Sequence, residues 1–234
     1  YHAVNEFCIV DLSAFYLDVL KDRLYTFAPK GIERRSAQTV LWRITEALVR
    51  LVAPILTFTS DEVWQYLPAM SDRPASVHLA LFPNADKLGS ADEELLRNWS
   101  ELLAFRNEVL QRLEGLRKEG QIGKGLGARL DISAAGRLYN TMKTVGPELK
   151  EVFNVSQVLL TQMSGDTGLA FTVAPAAGTR CARCWNYYPD DSPLHVRQVS
   201  PTTPAADAPW SVCGRCENAL AKMGYLPEVH PNAS

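Results

Sequence analysis

Four cysteines near the carboxyl end, Cys181-Ala182-Arg183-Cys184 and Cys213-Gly214-Arg215-Cys216, have a spacing that names a chemistry before any fold is known. Two residues between the thiols of each pair let one tight turn aim both sulfurs at a common point. Two such turns supply four ligands to a tetrahedral metal, and zinc is the ion this donor set favours. With four thiolates no coordination position stays open for water. The expectation is therefore one structural Zn2+ whose removal would unfold its own module. Rival chemistries exist, because a Cys-x-x-Cys pair can be a redox motif and four cysteines can form two disulfides. No secretory segment precedes the first helical pattern, so a cytoplasmic, reducing setting is expected, where paired thiols favour metal over disulfide. Cys8 stands alone among apolar residues of a helical pattern and reads as a buried thiol.

These residues sit in a chain of 234 residues, 47% of them apolar, long enough for one large domain or two to three small ones. No run approaches the roughly 18 apolar residues of a membrane helix, and no membrane association is expected. The net charge is −2. A nucleic-acid binder of this composition must concentrate its positive charge locally. The chain opens at Tyr1, already inside a helical pattern, which suggests a piece of a longer polypeptide.

The elements that must position the cysteines are mainly helical. Val4, Phe7, Cys8, Leu12, Phe15, Tyr16, Val19 and Leu20 follow the spacing of an amphipathic helix ending near Pro29-Lys30-Gly31. A second helix carries Ala37, Val40, Leu41, Ile44, Leu48, Leu51 and Val52 on one face and stops near Pro54. Thr59 with Glu62 fits a capping box that opens a third, closed by Pro68. Three helices with short connections read as a bundle over residues 1–90.

A connection through Val77-His78-Leu79, Pro83 and Gly89 leads to a long helix from about Asp92 to Lys118. Leu95, Trp99, Leu102, Leu103, Val109, Leu110, Leu113 and Leu116 are its expected inward face. Strands are expected over Arg129–Ala134, Val155–Thr161 and Leu169–Val173, with helix over Leu138–Val152, which makes a small α+β junction within 91–174. The zinc module then fills 175–234, and its Pro-, Ser-, Thr- and Ala-rich stretch 192–209 reads as a mobile loop.

Charge is uneven. Residues 21 to 50 hold Lys21, Arg23, Lys30, Arg34, Arg35, Arg43 and Arg50 against Asp22, Glu33 and Glu46. For a single arginine a solvated helix face is the simpler account. Lys21, Arg23, Arg34 and Arg35, however, flank one interhelix turn where cations could converge on a phosphate backbone. The stretch Gly120 to Gly127 resembles a phosphate-cradling loop only superficially. It lacks the Gly-Lys-Ser/Thr ending and the preceding strand, so it is expected as a turn into the next strand.

Taken together, Phe15-Tyr16-Leu17-Asp18, Lys21-Asp22-Arg23-Leu24-Tyr25, Glu46-Ala47-Leu48-Val49-Arg50, Ala53-Pro54-Ile55-Leu56, Phe58-Thr59, Asp61-Glu62-Val63-Trp64 and the cysteine module resemble the carboxyl-terminal region of bacterial-type isoleucyl-tRNA synthetases. The resemblance covers nearly the whole chain. It implies an anticodon-stem-binding bundle, a junction and a terminal zinc module near the anticodon, with tRNA as partner and a monomeric state. It also implies tRNA contacts at Lys21, Arg23, Arg34, Arg35, Lys124, Arg183, Trp185 and Arg215. Arginine forks and an aromatic face on stiff turns suit unstacked loop bases. Trp185 has two readings, stacking on RNA or covering the metal cluster.

Two departures limit the likeness. The spacer between Cys184 and Cys213 is 28 residues, longer than the roughly 15 to 20 usual for paired sites. In addition, none of His2, His78, His195 or His230 lies in the His-x-Gly-His type motif of class I synthetases, and Lys222-Met223-Gly224 does not match their lysine loop. ATP and Mg2+, with adenylation, transfer and editing, are therefore expected only in a region outside this chain. Two other functions fit parts of the sequence: the zinc-containing DNA-binding tail of a DNA-repair glycosylase, and a zinc-stapled protein-interaction module.

Overall fold

The computed structural model describes residues 1–68, 73–84, 92–203, 205 and 207–227. Gly89 of the expected connection, Pro204 and Ala206 of the expected loop, and His230 lie outside the described residues. The chain forms two compact units, Tyr1–Asp18 with Lys30–Ser90, and Val19–Pro29 with Ala91–Ser234. The fold class expected from sequence, mainly helical with a small sheet and a four-cysteine module, is the one observed. Among the described residues, no helix is long and apolar enough to cross a membrane.

In the first unit, α1 (His2–Glu6) runs into a π-helical stretch, Phe7–Leu17. The expected inward positions Val4, Phe7, Cys8, Leu12, Phe15 and Tyr16 are half-buried, whereas Ile9 and Val10 are exposed. The face is therefore as the spacing predicts. The hydrogen-bond register differs, each π turn holding one residue more than an α turn. Helix α3 (Ile32–Val52) begins after Gly31 and stops short of Pro54, which disfavours helical backbone before it.

The capping box at Thr59 does not form, because α4 (Thr57–Tyr66) starts two residues earlier, with Leu56 at its cap. The core of this unit gathers Val49, Ala53, Trp64 and Val77. It is tied by the Trp64 indole, which donates to the Pro74 carbonyl at 2.9 Å. Asp61 accepts from the Ser76 hydroxyl at 2.6 Å and the Val77 N–H at 3.1 Å.

In the second unit, α2 (Asp18–Thr26) contributes from Val19 onward, and α5 (Glu93–Lys118) is the long helix expected. Asp92 caps α5, accepting from the Glu94 and Leu95 N–H groups. Leu95 itself is exposed, and the core side of α5 instead includes Phe105 and the buried Arg106 beside Leu102, Val109, Leu113 and Leu116. Arg106 Nε donates to the Val152 carbonyl at 2.7 Å.

Helix α5 ends in a Schellman turn. Gln121 N–H reaches the Leu116 carbonyl at 2.9 Å and Gly120 N–H the Arg117 carbonyl at 3.1 Å, with Gly120 at φ +73° where a side chain would be strained. The glycine-rich stretch is thus the turn the sequence predicts, leading into β1 (Ala128–Ala134).

Strand β1 is central in a three-stranded sheet, parallel to β2 (Gln157–Gln162) and antiparallel to β3 (Leu169–Pro175). Helices α6 (Gly136–Val145) and α7 (Leu149–Phe153) form the crossover that a parallel pair requires. Alternate residues Ala128, Leu130, Ile132 and Ala134 point to the core, where Phe105 meets Phe153 and Phe171 edge-on at ring separations of 5.4 and 5.3 Å.

The carboxyl-terminal module consists of β4 (Thr179–Arg180) paired with β5 (Tyr187–Tyr188), β6 (Val196–Val199) paired with β7 (Trp210–Cys213), and α8 (Gly214–Lys222). The stretch 192–209 is therefore not a loop throughout. Its residues Val196–Val199 form β6 and pair with β7, Val196 opposite Cys213. Val196 and Val199 stand three apart with Arg197 and Gln198 between them, so this four-residue strand shows no period-two alternation to stand out in a Pro- and Ser-rich context.

Candidate metal centre

Each cysteine pair is placed by a strand end. Gly178, at φ +87°, opens the first turn. A Cβ there would lie 2.0 Å from the Tyr188 carbonyl oxygen, so only glycine lets the chain approach β5 this closely. Between β4 and β5 the backbone folds back on itself, Cys181 N–H donating to the Asn186 carbonyl and Trp185 N–H to the Cys181 carbonyl, both at 2.9 Å. On the other side, β7 delivers Cys213 and α8 begins immediately after it, placing Cys216 in the first helical turn.

The four sulfurs converge. All four cysteines are buried and their Sγ atoms lie within 4.8 Å of one another, Cys184 and Cys213 at 3.8 Å. A tetrahedron with metal–sulfur bonds of about 2.3 Å has an edge of about 3.8 Å, so the donor set fits a thiolate-bound ion of zinc size. The Cys213 N–H points at the Cys181 sulfur at 3.3 Å, as donors around a thiolate do. Thiol contacts from Cys184, Cys213 and Cys216 hold Cys181 well below the usual thiol range. Contacts to Cys181 first, and Cys184 next, push Cys213 and Cys216 above it. Four thiolates this close repel one another, and a central cation removes that conflict. Burial, then the charge of Cys184, raises the Tyr188 phenol, whose oxygen lies 3.9 Å from the Cys184 sulfur.

The side chains expected at a tRNA surface divide into two groups. Trp185 is half exposed and lies outside the buried cluster around the cysteines. Its ring sits under the Lys124 ammonium, 4.9 Å away, with Lys124 also exposed. Trp185 adopts φ +65°, an unusual conformation for a large residue, fixed by the turn that binds its N–H.

Arg183 and Arg215, in contrast, are directed into the protein. Arg215 grips Asp22 through both carboxylate oxygens at 2.9 and 2.8 Å, donates to the Thr26 hydroxyl at 2.9 Å and lies 4.4 Å over the Phe27 ring. Burial is the largest influence and works against its charge, yet Asp22 and, behind it, Cys184, Cys216 and Tyr188 together outweigh burial and hold the guanidinium charged. Arg183 donates to the Thr26 carbonyl, to the Tyr25 carbonyl at 3.5 Å and toward the Cys216 sulfur at 3.7 Å.

Of the other basic residues, Arg23 pairs with Glu151 at 2.7 Å. Burial keeps the Glu151 carboxyl above its usual range despite that partner. Lys21 and Arg35 are exposed and Arg34 is half-buried. Lys21 and Arg23 belong to one unit, Arg34 and Arg35 to the other. Asp22, Thr26 and Phe27, partners of the knuckle arginines, carried no local signal of this role.

A family model described as the anticodon-binding domain of tRNA ligase matches residues 1–132, and the chain belongs to that family. Its curated relatives narrow the likeness to one kind of ligase. The chain is 43% identical over 197 residues to the isoleucine--tRNA ligase of Desulforamulus reducens, covering 80% of this chain and 21% of that protein. It is 41% identical over 204 residues to that of Natranaerobius thermophilus, covering 81% and 22%. Against the isoleucine--tRNA ligase of Moorella thermoacetica it is 38% identical over 234 residues, covering 95% and 24%. The chain spans between a fifth and a quarter of the length of these relatives.

Proposed function

We propose that this chain is the tRNA-docking part of an isoleucine--tRNA ligase, with residues 1–90 gripping the anticodon stem, 91–174 as junction and 175–234 as a zinc module. The observation that carries the reading is membership of the anticodon-binding family together with an exposed aromatic–cation pair, Trp185 and Lys124, beside a four-cysteine knuckle. Zinc held by Cys181, Cys184, Cys213 and Cys216 would act as a closed structural clamp. Lys21, Arg34, Arg35 and Lys124 would contact phosphates, and Trp185 would stack on an unpaired base. Because Arg183, Arg215 and Arg23 are engaged inside the protein, their part in docking is to support the surface rather than to form it.

The amino-acid ligation itself, with its ATP and Mg2+, belongs to the longer protein, and here the chain contributes binding and orientation. We also propose that the protein works as a cytoplasmic monomer. Competition of isoleucine tRNA against duplex DNA for the zinc-loaded chain tests the reading. Preference for tRNA supports it. Preference for duplex DNA favours a repair-type tail, and binding of neither leaves an interaction module.

A further inference from the structure

The two cysteine knuckles share more than their spacing. In each, the residue before the second cysteine is an arginine, Arg183 in one and Arg215 in the other, and both side chains reach the same short target. That target is the last turn of α2 and the residues just beyond it. Arg183 serves the terminal carbonyls of Tyr25 and Thr26, which have no partner further along the helix. Arg215 clasps Asp22, one turn earlier, and the Thr26 hydroxyl, with Phe27 beneath its guanidinium. Thr26 is itself hydrogen-bonded back to the Asp22 carbonyl at 2.9 Å and to its carboxylate. The end of α2 is thus held from two sides by cations mounted on the metal-binding turns.

We infer that Arg183 and Arg215 are positioning residues through which the four-cysteine centre fixes the end of α2, so that metal loading sets how α2 presents its exposed side chains. This rests on the reading of the four cysteines as a metal centre. The chemistry is direct. Four thiolates and a divalent ion leave net negative charge, and Arg183 lies 3.7 Å from the Cys216 sulfur while also binding the Thr26 carbonyl. One guanidinium therefore spans a metal ligand and a helix end. Cations at a helix C-terminus also meet its favourable dipole end. Lys21 and Tyr25, the latter 76% exposed, ride on the helix so held.

The test is amide hydrogen exchange over residues 19–28 of the full chain, with metal content measured on the same samples. In the metal-loaded R183M/R215M variant, metal should remain at one per chain while exchange over 19–28 quickens about ten-fold or more, the scale of a lost charge-assisted hydrogen bond. Chelation of the unmodified chain should quicken the same amides, and should add little in the double variant. R183K/R215K should restore part of the protection. Should the double variant fail to fold, Asp22→Asn carries the same expectation with the knuckles intact. Bound metal with exchange over 19–28 unmoved by chelation or by the arginine changes would overturn the coupling alone. A folded chain that binds no metal would overturn the coupling together with the metal reading.

Discussion

Arg215 and Asp22, 193 positions apart in sequence, meet through two charge-assisted hydrogen bonds of 2.8 and 2.9 Å with side chains only 18% and 17% exposed. Both bonds come from Arg215 Nη2, while Nη1 serves the Thr26 hydroxyl. Breaking this partly buried pair strands one charge, so R215M is expected to cost about 2 kcal/mol, below the roughly 3–5 kcal/mol of a fully buried pair. Denaturant unfolding of the zinc-loaded chain measures this. R215K, which keeps the charge but lacks the fork, should lie between the two, and a loss under about 0.5 kcal/mol would make the pair a surface contact.

The four cysteines act together or not at all. Replacing any one of Cys181, Cys184, Cys213 or Cys216 by alanine should drop zinc content well below one per chain and loosen the module, whereas Cys8→Ser should leave content unchanged. Metal analysis with a thiol count decides. A folded tail with four reactive thiols and no metal contradicts the assignment.

Metal loading should release protons. Contacts to Cys181 keep the Cys213 and Cys216 thiols protonated above the usual range in the metal-free cluster, and these protons must leave for all four sulfurs to ligate. Affinity for zinc therefore rises with pH and falls on acidification. Indicator titration at neutral pH should register proton release on adding zinc, and a pH-independent affinity would contradict it.

Asp61 gives the first unit its own acid sensitivity. The Ser76 hydroxyl and then the Val77 N–H hold its carboxyl below the usual 3.8. A depressed carboxyl stabilises the fold above its unfolded value and loses that contribution as pH falls through the folded one. Thermal unfolding between pH 5 and 2 should show D61N less pH-dependent than the unmodified chain, and identical slopes would remove Asp61 from the account.

How much of this was legible in sequence depended on whether the signal was local. The cysteine quartet could be read because two-residue spacing is a geometric requirement of one tight turn, and the long helix near Asp92–Lys118 because apolar spacing is a local signal. β1 showed itself in alternation at Leu130 and Ile132. Arg215 reads from sequence as an RNA contact because a charged residue on a turn carries no mark of an acidic partner 193 residues away. Thr59 misled for a related reason, since a cap pattern competes with helix propagation from Thr57. Strand β6 hid in the Pro- and Ser-rich stretch because four residues paired with β7 need no composition of their own.

Trp185 and Lys124 carry the surface part of the proposal. W185A should weaken tRNA binding about ten-fold, the size of one lost base-stacking contact, with zinc content unchanged. Filter binding with parallel metal analysis checks both, and equal affinity would return Trp185 to a purely structural role.

The central claim is tested most directly by binding of the zinc-loaded chain to isoleucine tRNA and to a tRNA of different anticodon across a salt series. Isoleucine tRNA should bind more tightly, with affinity that falls steeply with salt and a shallower slope once Lys21, Arg34, Arg35 and Lys124 are changed to glutamine. Equal affinity for both tRNAs with a slope untouched by those changes would contradict it.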